Sequence, residues 1–144
     1  MWSSRRSFGT GKRATAQQRS SNFGTSLEYE RAQAERQYAE LLPTGAGTKD
    51  NHFWTITQTG APVGFLWVRV DEAARHAFLF EIAVHSEYRG RGYGGRALDL
   101  LKEDLKRMGV SRIGLNVFAD NHVAIGLYQK HGYTTTNLNL QKNI

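Results

Sequence analysis

The sequence predicts a single α/β domain with a mixed, mostly antiparallel sheet that is flanked by helices. The first observation is an apolar run at residues 76–84, rich in aromatic and β-branched side chains, which is typical of a buried strand. The second is the glycine-rich segment 89–95 that follows, leading into a helix with apolar residues at three- and four-residue spacing. The third is the order of elements, three meandering strands followed by helix, strand, helix and strand, which indicates a helix-covered mixed sheet.

The elements before the central strand are a helix and a hairpin. The helix is predicted to begin at Ser26, a capping residue followed by acids in the first turn, and to end before Pro43. Residues 52–58 and 63–70 have the composition of strands, and residues 59–62 form the turn between them. Residues 71–75 are polar and connect the hairpin to the central strand.

The elements after the glycine-rich segment form the rest of the predicted domain. The first helix is expected to end in a left-handed cap at Gly109, and residues 112–118 are expected to form a strand. A second helix follows, with Asp120 as its expected N-cap. Residues 133–141, with three threonines, are predicted to form a final strand. A chain of 144 residues suits one such domain.

The positive charge of the chain is concentrated at its N-terminus. Residues 1–25 contain five basic residues and no acid, which supplies +5 of the net charge of +6. This segment has no apolar period and buries too little surface to offset its ordering entropy, so we expect a disordered basic tail before a domain at residues 26–144. A nucleic-acid arm or an organelle-targeting peptide is the weaker interpretation of the tail.

Composition excludes several classes of chemistry. The chain has no cysteine, which excludes disulfides, thiolate zinc sites and a cysteine acyl-enzyme. The five histidines show no metal-ligand spacing, so we expect no metal. No apolar run is long enough for a membrane span, and no secretory signal is visible. We therefore expect a cytoplasmic protein with no membrane partner, and with nucleic-acid contact only through the tail.

The glycine-rich segment has the properties of a diphosphate site. A turn of this kind points several backbone N–H groups at one place, and the following helix N-terminus adds partial positive charge. Glycines let a phosphate approach the backbone, and Arg89 and Arg91 supply mobile positive charge. The segment lacks the spacing of a dinucleotide fingerprint and the Gly-Lys-Ser/Thr of a P-loop. The sequence therefore predicts a diphosphate-containing ligand of another class.

Two motifs resemble those of the GNAT N-acetyltransferase family. Arg89, Gly92 and Gly94 match the family's acyl-CoA pyrophosphate pattern, R/Q-x-x-G-x-G/A. A second motif follows at suitable distance, as Asn121-x-x-Ala124-x-x-x-Tyr128-x-x-x-Gly132-Tyr133. The resemblance covers about residues 51–140. It implies that acetyl-CoA is the co-substrate and that the protein is an N-acetyltransferase.

The resemblance also implies roles for particular residues. Backbone groups of Ile82 and Val84 would bind the pantetheine arm where the central strand separates from its neighbour at residues 115–117. Asn121 would reach the cofactor arm, and Tyr128 would act as general acid on the departing thiolate. The diphosphate would be held by Arg89, Arg91, Gly92, Tyr93, Gly94 and Gly95.

Glu81 is the candidate general base. It lies inside the apolar central strand, where an unpaired carboxylate is costly and where burial raises the pKa of a carboxyl group. The alternative is a structural ion pair with a neighbouring arginine, and the sequence leaves both interpretations open. His85 follows on the same strand and could replace Glu81 as base.

The chain departs from the family pattern on the acceptor side. Family members usually begin with an edge strand and two helices that shape one wall of the acceptor pocket, whereas here the first strand is missing or atypical and one helix is predicted. A partner subunit in a homodimer would complete this wall, or the chain is a shortened relative. The sequence thus predicts acetyl transfer to an amine, which could be a small molecule, an aminoglycoside or a peptide amino group. The alternative is a catalytically inactive acyl-CoA-binding or sensor module.

Overall fold

The computed structural model describes residues 2–3 and 26–144. The other residues of the predicted basic tail, residue 1 and residues 4–25, lie outside the described part of the chain. The strands and helices are, in chain order, β1 (Trp2–Ser3), α1 (Leu27–Leu41), β2 (Asn51–Gln58), β3 (Ala61–Asp71), β4 (His76–Val84), α2 (Tyr93–Arg107), β5 (Arg112–Leu115) and α3 (His122–Lys130). Two short 3-10 turns occur at Gly45–Gly47 and Ser86–Tyr88.

The sheet has the strand order β1-β2-β3-β4-β5, and every neighbouring pair is antiparallel except β4 and β5. The predicted mixed, mostly antiparallel α/β sheet is therefore confirmed. In the described part of the chain, the edge beside β2 carries a two-residue strand, in which Trp2 pairs with Ile56 and Ser3 with Thr55. This agrees with the prediction that the first strand is missing or atypical.

The sheet is covered on both faces by helices. On one face, α2 contributes four buried residues to a core that includes Leu66, Val68 and Leu79 of the sheet. On the other face, Tyr38 and Leu42 at the end of α1 pack with Trp67. Helix α3 contributes half-buried residues to the α2 side of the core. The arrangement is three layers, with burial of the two sheet faces as the main stabilising contribution.

An irregularity in β4 changes which face its residues occupy. Trp67 of β3 pairs with Glu81, whereas the next residue, Val68, pairs with Leu79, so Phe80 is an extra residue on β4. A bulge of this kind interrupts the regular alternation of side chains between the two faces. Leu79 accordingly packs in the α2 core, and Phe80 packs in the α1 cluster. The side chain of Glu81 follows Phe80 on the α1 side.

The turns and helix caps agree with the sequence predictions except at the start of α3. Thr59 and Gly60 have φ of 48° and 82°, as a two-residue hairpin turn requires, and Gly109 has the expected left-handed φ of 81°. Ser26 caps α1 by accepting a hydrogen bond from the N–H of Tyr29. The predicted cap of α3 is wrong, because the helix begins one residue later and Asn121 precedes it. The Asn121 side chain accepts from the N–H of Ala124 at 3.2 Å.

The predicted final strand at residues 133–141 is wrong. The structure has no strand at residues 133–144, and Leu138 and Leu140 are 72% and 93% exposed. Alternating leucines and a run of threonines give strand propensity, but a strand also requires a partner edge and an apolar face to cover. β5 is shorter than predicted for the same reason, since its pairing with β4 ends at Leu115.

Candidate active site

The first turn of α2 presents backbone N–H groups that have no partner within the helix. Gly92 occupies the N-cap position with φ of 84°, and no side chain caps the helix. The N–H of Arg96 bonds back to the carbonyl of Gly92, so the N–H groups of residues 93–95 have no partner within the helix. A Cβ added at Gly90 or Gly92 would meet nothing within 4 Å. Open space, free amides and the helix dipole suit an anionic group at this end of α2.

The arginines of this region differ in their contacts. Residues 89–92 form the loop that precedes α2. Arg89 Nε donates to the carbonyl of Val84 at 3.0 Å and so ties this loop to the end of β4. The Arg91 guanidinium lies 5.6 Å from the centre of the Tyr88 ring. Among residues 26–144, no carboxylate lies within ion-pair distance of Arg91 or Arg96. The guanidinium groups of these two side chains are therefore available to bind an anion.

A cleft of about 240 Å³ adjoins this loop on its β2 side. It lies between the end of β2 and one side of α2, away from α3, which packs on the other side of the same helix. The cleft therefore touches the loop but is separate from the space between β4 and β5. Its lining residues are Ile56, Thr57, Gln58, Arg91, Gly92, Tyr93, Arg96, Ala97 and Leu100.

Gly94 and Gly95 allow helix α3 to pack closely against α2. A Cβ at Gly94 would lie 3.3 Å from Leu127, and one at Gly95 would lie 2.9 Å from Nε2 of His131. The space left by these two missing side chains is thus filled by α3. Of the four glycines between 90 and 95, the earlier two border open space and the later two allow close helix packing.

An opening separates β4 from β5 beside the loop. Their parallel pairing ends at Leu79 and Leu115, and the rest of β4 has no strand partner on that edge among the described residues. The N–H of His85 donates to Val63 on β3, so the preceding residue, Val84, presents its backbone to the opposite edge. The same alternation brings the backbone of Ile82 to that edge. The position of the opening matches the sequence prediction, and the ligand contacts of Ile82 and Val84 remain a prediction.

Glu81 lies on the α1 face with a tyrosine as its partner. The hydroxyl of Tyr38 donates to Oε2 of Glu81 at 2.5 Å, and its ring packs 5.1 Å from that of Trp67. Burial raises the pKa of Glu81, and the hydrogen bond from Tyr38 opposes that rise. The arginine partner of the alternative interpretation is not found among the described residues.

Tyr38 was missed by the sequence reasoning. A signal for its burial exists, because Glu30, Ala34 and Tyr38 recur at four-residue spacing and are the buried residues of α1. That spacing predicts an inward-facing row of side chains. It contains no information on the partner of Tyr38, which lies 43 residues away on β4.

Tyr128 lies on the other side of the sheet, in α3. It is half-buried against the α2 core, and its ring centre is 5.6 Å from that of Tyr133. Burial raises the pKa of Tyr128, and burial together with Tyr128 raises the pKa of Tyr133 to about 12. Both phenols are therefore protonated at neutral pH. No hydrogen bond joins Tyr128 to Glu81 in the described part of the chain, and the opening between β4 and β5 lies between the two faces.

The remaining predicted site residues have structural contacts. The Asn121 side-chain oxygen is used as the cap of α3, and His85 precedes the 3-10 turn that leads into the loop. Within residues 26–144 no group of three or more histidine, aspartate or glutamate side chains could hold a metal ion. No helix of the described residues combines the length and apolarity needed to cross a membrane.

Comparison with known proteins identifies the family. The model of the Acetyltransferase (GNAT) family matches residues 15–133. The chain is 34% identical over 114 residues to the uncharacterized N-acetyltransferase YdgE of Bacillus subtilis, covering 77% of this chain and 73% of that protein. The crystal structure of YycN from Bacillus subtilis superposes with a TM-score of 0.87 at 27% identity, over 93% of this chain and 87% of that one.

A third relative is the ribosomal protein bS18-alanine N-acetyltransferase of Escherichia coli. It is 38% identical over 80 residues, which is 54% of this chain and 51% of that protein. The residues that the family model matches include the loop, the opening and α3, and each Bacillus protein covers more than two thirds of the chain. The chain belongs to the GNAT family of acetyltransferases.

Proposed function

We propose that this protein transfers the acetyl group of acetyl-CoA directly to an amine, with Glu81 as general base and Tyr128 as general acid. The observation that supports this proposal most is the opening between β4 and β5. A loop with open glycines lies at its end, a half-buried carboxylate lies on one face of the sheet, and a half-buried phenol lies on the other. The GNAT family uses acetyl-CoA, which names the acyl donor.

The residues present fit acetyl-CoA. The free amides of residues 93–95 and the open space at Gly90 and Gly92 suit a diphosphate, and Arg91 and Arg96 supply unpaired positive charge beside it. Arg89 would contribute mainly by holding the loop on β4, since its Nε is already bonded. Backbone groups of Ile82 and Val84 at the open edge of β4 would bind the amide-containing arm. When bound, acetyl-CoA supplies the thioester whose acetyl group passes to the amine.

Two properties of Glu81 support its proposed role as proton acceptor, namely a free carboxylate oxygen and a raised pKa. Tyr38 holds Oε2 and leaves Oε1 without a hydrogen-bond partner in the described chain, so this oxygen is available to an incoming ammonium group. Burial raises the pKa of Glu81 and makes the carboxylate a stronger base near neutral pH. The amine gives its proton to Glu81 and becomes nucleophilic.

Tyr128 supplies the second proton transfer. Its pKa is raised by burial, so the hydroxyl carries its proton at neutral pH and donates it to the sulfur of the departing thiolate. Two protons leave the nitrogen of the ammonium group. The first passes to Glu81, which releases it to solvent. The second leaves nitrogen as the C–N bond forms and the C–S bond breaks, and it restores the proton that Tyr128 gives to sulfur. Neither step requires a covalent enzyme intermediate, which agrees with a chain that has no cysteine.

Peptide amino groups are the first acceptors to test. The Escherichia coli relative acetylates an alanine of a ribosomal protein by its name, and it matches 54% of this chain. Small amines and aminoglycosides are the other acceptors to test. Nothing in the described residues favours the inactive acyl-CoA-binding module. The homodimer that would complete the acceptor wall and the cytoplasmic location remain predictions, as does the disordered tail.

The loop assignment is tested with two glycines of matched geometry. Gly92 and Gly109 stand at the two ends of α2 with φ of 84° and 81°, and a Cβ at either would meet nothing within 4 Å. Each substitution by alanine therefore carries similar backbone strain. Acetyl-CoA at about 100 times Kd should stabilise the wild type by about 2.7 kcal/mol, a Tm shift of several degrees. We expect Gly109→Ala to keep this shift and Gly92→Ala to lose most of it. Equal shifts in both variants would contradict the assignment.

The acid assignment is tested with Tyr128→Phe. The ring and its packing are kept, so Tm should change little, while loss of the proton donor should lower kcat by about 10²–10⁴-fold. The assay is thiol release from acetyl-CoA with an amine panel that includes a peptide with N-terminal alanine. Full activity in Tyr128→Phe would show that another group donates the proton. Acetyl-CoA binding without turnover of any amine would favour the inactive module.

The base assignment is tested with Glu81→Gln through stability and rate together. Because the folded pKa of Glu81 is raised, its favourable contribution is present below the unfolded pKa and is lost as pH rises through the folded pKa. We expect Glu81→Gln to have a higher Tm than the wild type at pH 8 and a similar one at pH 4, since glutamine is never charged. Its turnover should be low at neutral pH and should recover as the amine deprotonates unaided. A lower Tm at pH 8 with an unchanged pH–rate profile would assign Glu81 a structural role.

A further inference from the structure

The docking of α3 depends on a small set of contacts. None of its residues is fully buried, and its apolar contacts with the core come from half-buried side chains such as Leu127 and Tyr128. At its C-terminal end, the ring of His131 lies over Gly95 of α2, with Nε2 2.9 Å from where a Cβ would stand. The end of α3 thus rests on the first turn of α2, next to the loop.

A polar contact fixes this arrangement. Nδ1 of His131 lies 3.1 Å from Oδ1 of Asp99, which is one turn beyond Gly95 on the same helix. The His131 side chain is 19% exposed and that of Asp99 is 59% exposed. Within residues 26–144, this is the side-chain hydrogen bond that joins α3 to α2. A hydrogen bond has a narrow range of distance and angle, so this contact favours one relative position of the two helices.

The same turn carries Tyr128. The N–H of His131 donates to the carbonyls of Leu127 and Tyr128, and the N–H of Tyr133 also donates to the carbonyl of Tyr128. His131 and Tyr128 therefore move as one unit. A shift of His131 relative to Asp99 changes the position of the Tyr128 ring relative to the loop and the opening beside β4.

We propose that His131 and Asp99 are positioning residues, whose hydrogen bond across Gly95 sets the place of the Tyr128 hydroxyl relative to the acyl donor. The inference rests on the proposed function only in taking Tyr128 as the proton donor. Neither residue touches the reacting atoms. Proton transfer depends steeply on distance, so a small displacement of α3 lowers kcat while the diphosphate loop continues to bind acetyl-CoA.

The experiment compares His131→Ala, Asp99→Ala and the double variant in the full chain. The control is Glu103→Ala, which removes an acid of similar exposure, 53%, from the same helix, where its ion-pair partner is Lys102. Tyrosine labelled with carbon-13 at Cζ reports the environment of Tyr128, and the Tyr128→Phe spectrum assigns its resonance. Titration calorimetry gives the Kd of acetyl-CoA, and thiol release with the best acceptor gives kcat and KM.

The Tyr128 resonance should move in both single variants and stay in place in Glu103→Ala. We expect kcat to fall about tenfold, the ratio that corresponds to about 1.4 kcal/mol in the barrier. The Kd of acetyl-CoA should change by no more than about twofold, which is well below the tenfold change expected in kcat. The double variant should be no slower than either single one, because both remove the same bond. His131→Gln, which keeps a donor, should recover most of kcat.

An unmoved Tyr128 resonance in both single variants would overturn the proposal, even if Tm falls, because the pair would then serve only in packing. Additive losses of kcat in the double variant would also contradict a shared bond. The resonance is measured without an acceptor, so it decides the proposal even if no amine is acetylated. Failure of acetyl transfer with a displaced resonance would refute the proposed function and leave the positioning of Tyr128 established.

Discussion

The separation of β4 from β5 is the constraint on which the rest of the site depends. Beyond the Leu79–Leu115 pair, β4 has a half-buried backbone edge without a strand partner, and its free groups need water or a ligand as hydrogen-bonding partner. The free N–H groups at the start of α2 lie next to this edge of β4, so two sets of unpaired backbone groups are close together. Helix α3 approaches the same place because Gly94 and Gly95 have no side chains. An amide-containing ligand with a diphosphate would satisfy both sets of groups at once.

The electrostatic surroundings of Glu81 and Tyr128 differ. Glu81 and Tyr128 are both shifted by burial toward their protonated forms, but only the carboxyl group has a donor, Tyr38, that favours its charged form. In the proposed mechanism the carboxylate acts as the base, and the half-buried phenol, which keeps its proton at neutral pH, acts as the acid. The bulge at Phe80 is what turns Glu81 toward Tyr38 and α1, away from the α2 core. The separation of the two groups on opposite faces follows from the same irregularity.

Much of the fold was predictable because it depends on local signals. Periodic apolar residues identified α2, alternating and apolar runs identified β2 to β4, and the glycine pattern identified the loop. The bonds of Glu81 to Tyr38 and of His131 to Asp99 were not predictable, since each joins residues more than thirty apart through tertiary packing. The predicted strand at residues 133–141 failed because propensity does not supply a pairing edge. The capping error, Asp120 in place of Asn121, is a one-residue displacement of a helix start.

Amide hydrogen exchange with and without acetyl-CoA tests the central claim most directly. The account predicts that the ligand slows exchange at the amides of residues 93–95 and at those of Ile82 and Val84, because these groups lack internal partners and would bond to it. The predicted result is protection at both places together, since one extended ligand spans the loop and the open edge of β4. Protection confined to the cleft beside β2, at Thr57, Gln58 and Leu100, with unchanged exchange at Ile82 and Val84, would contradict the account.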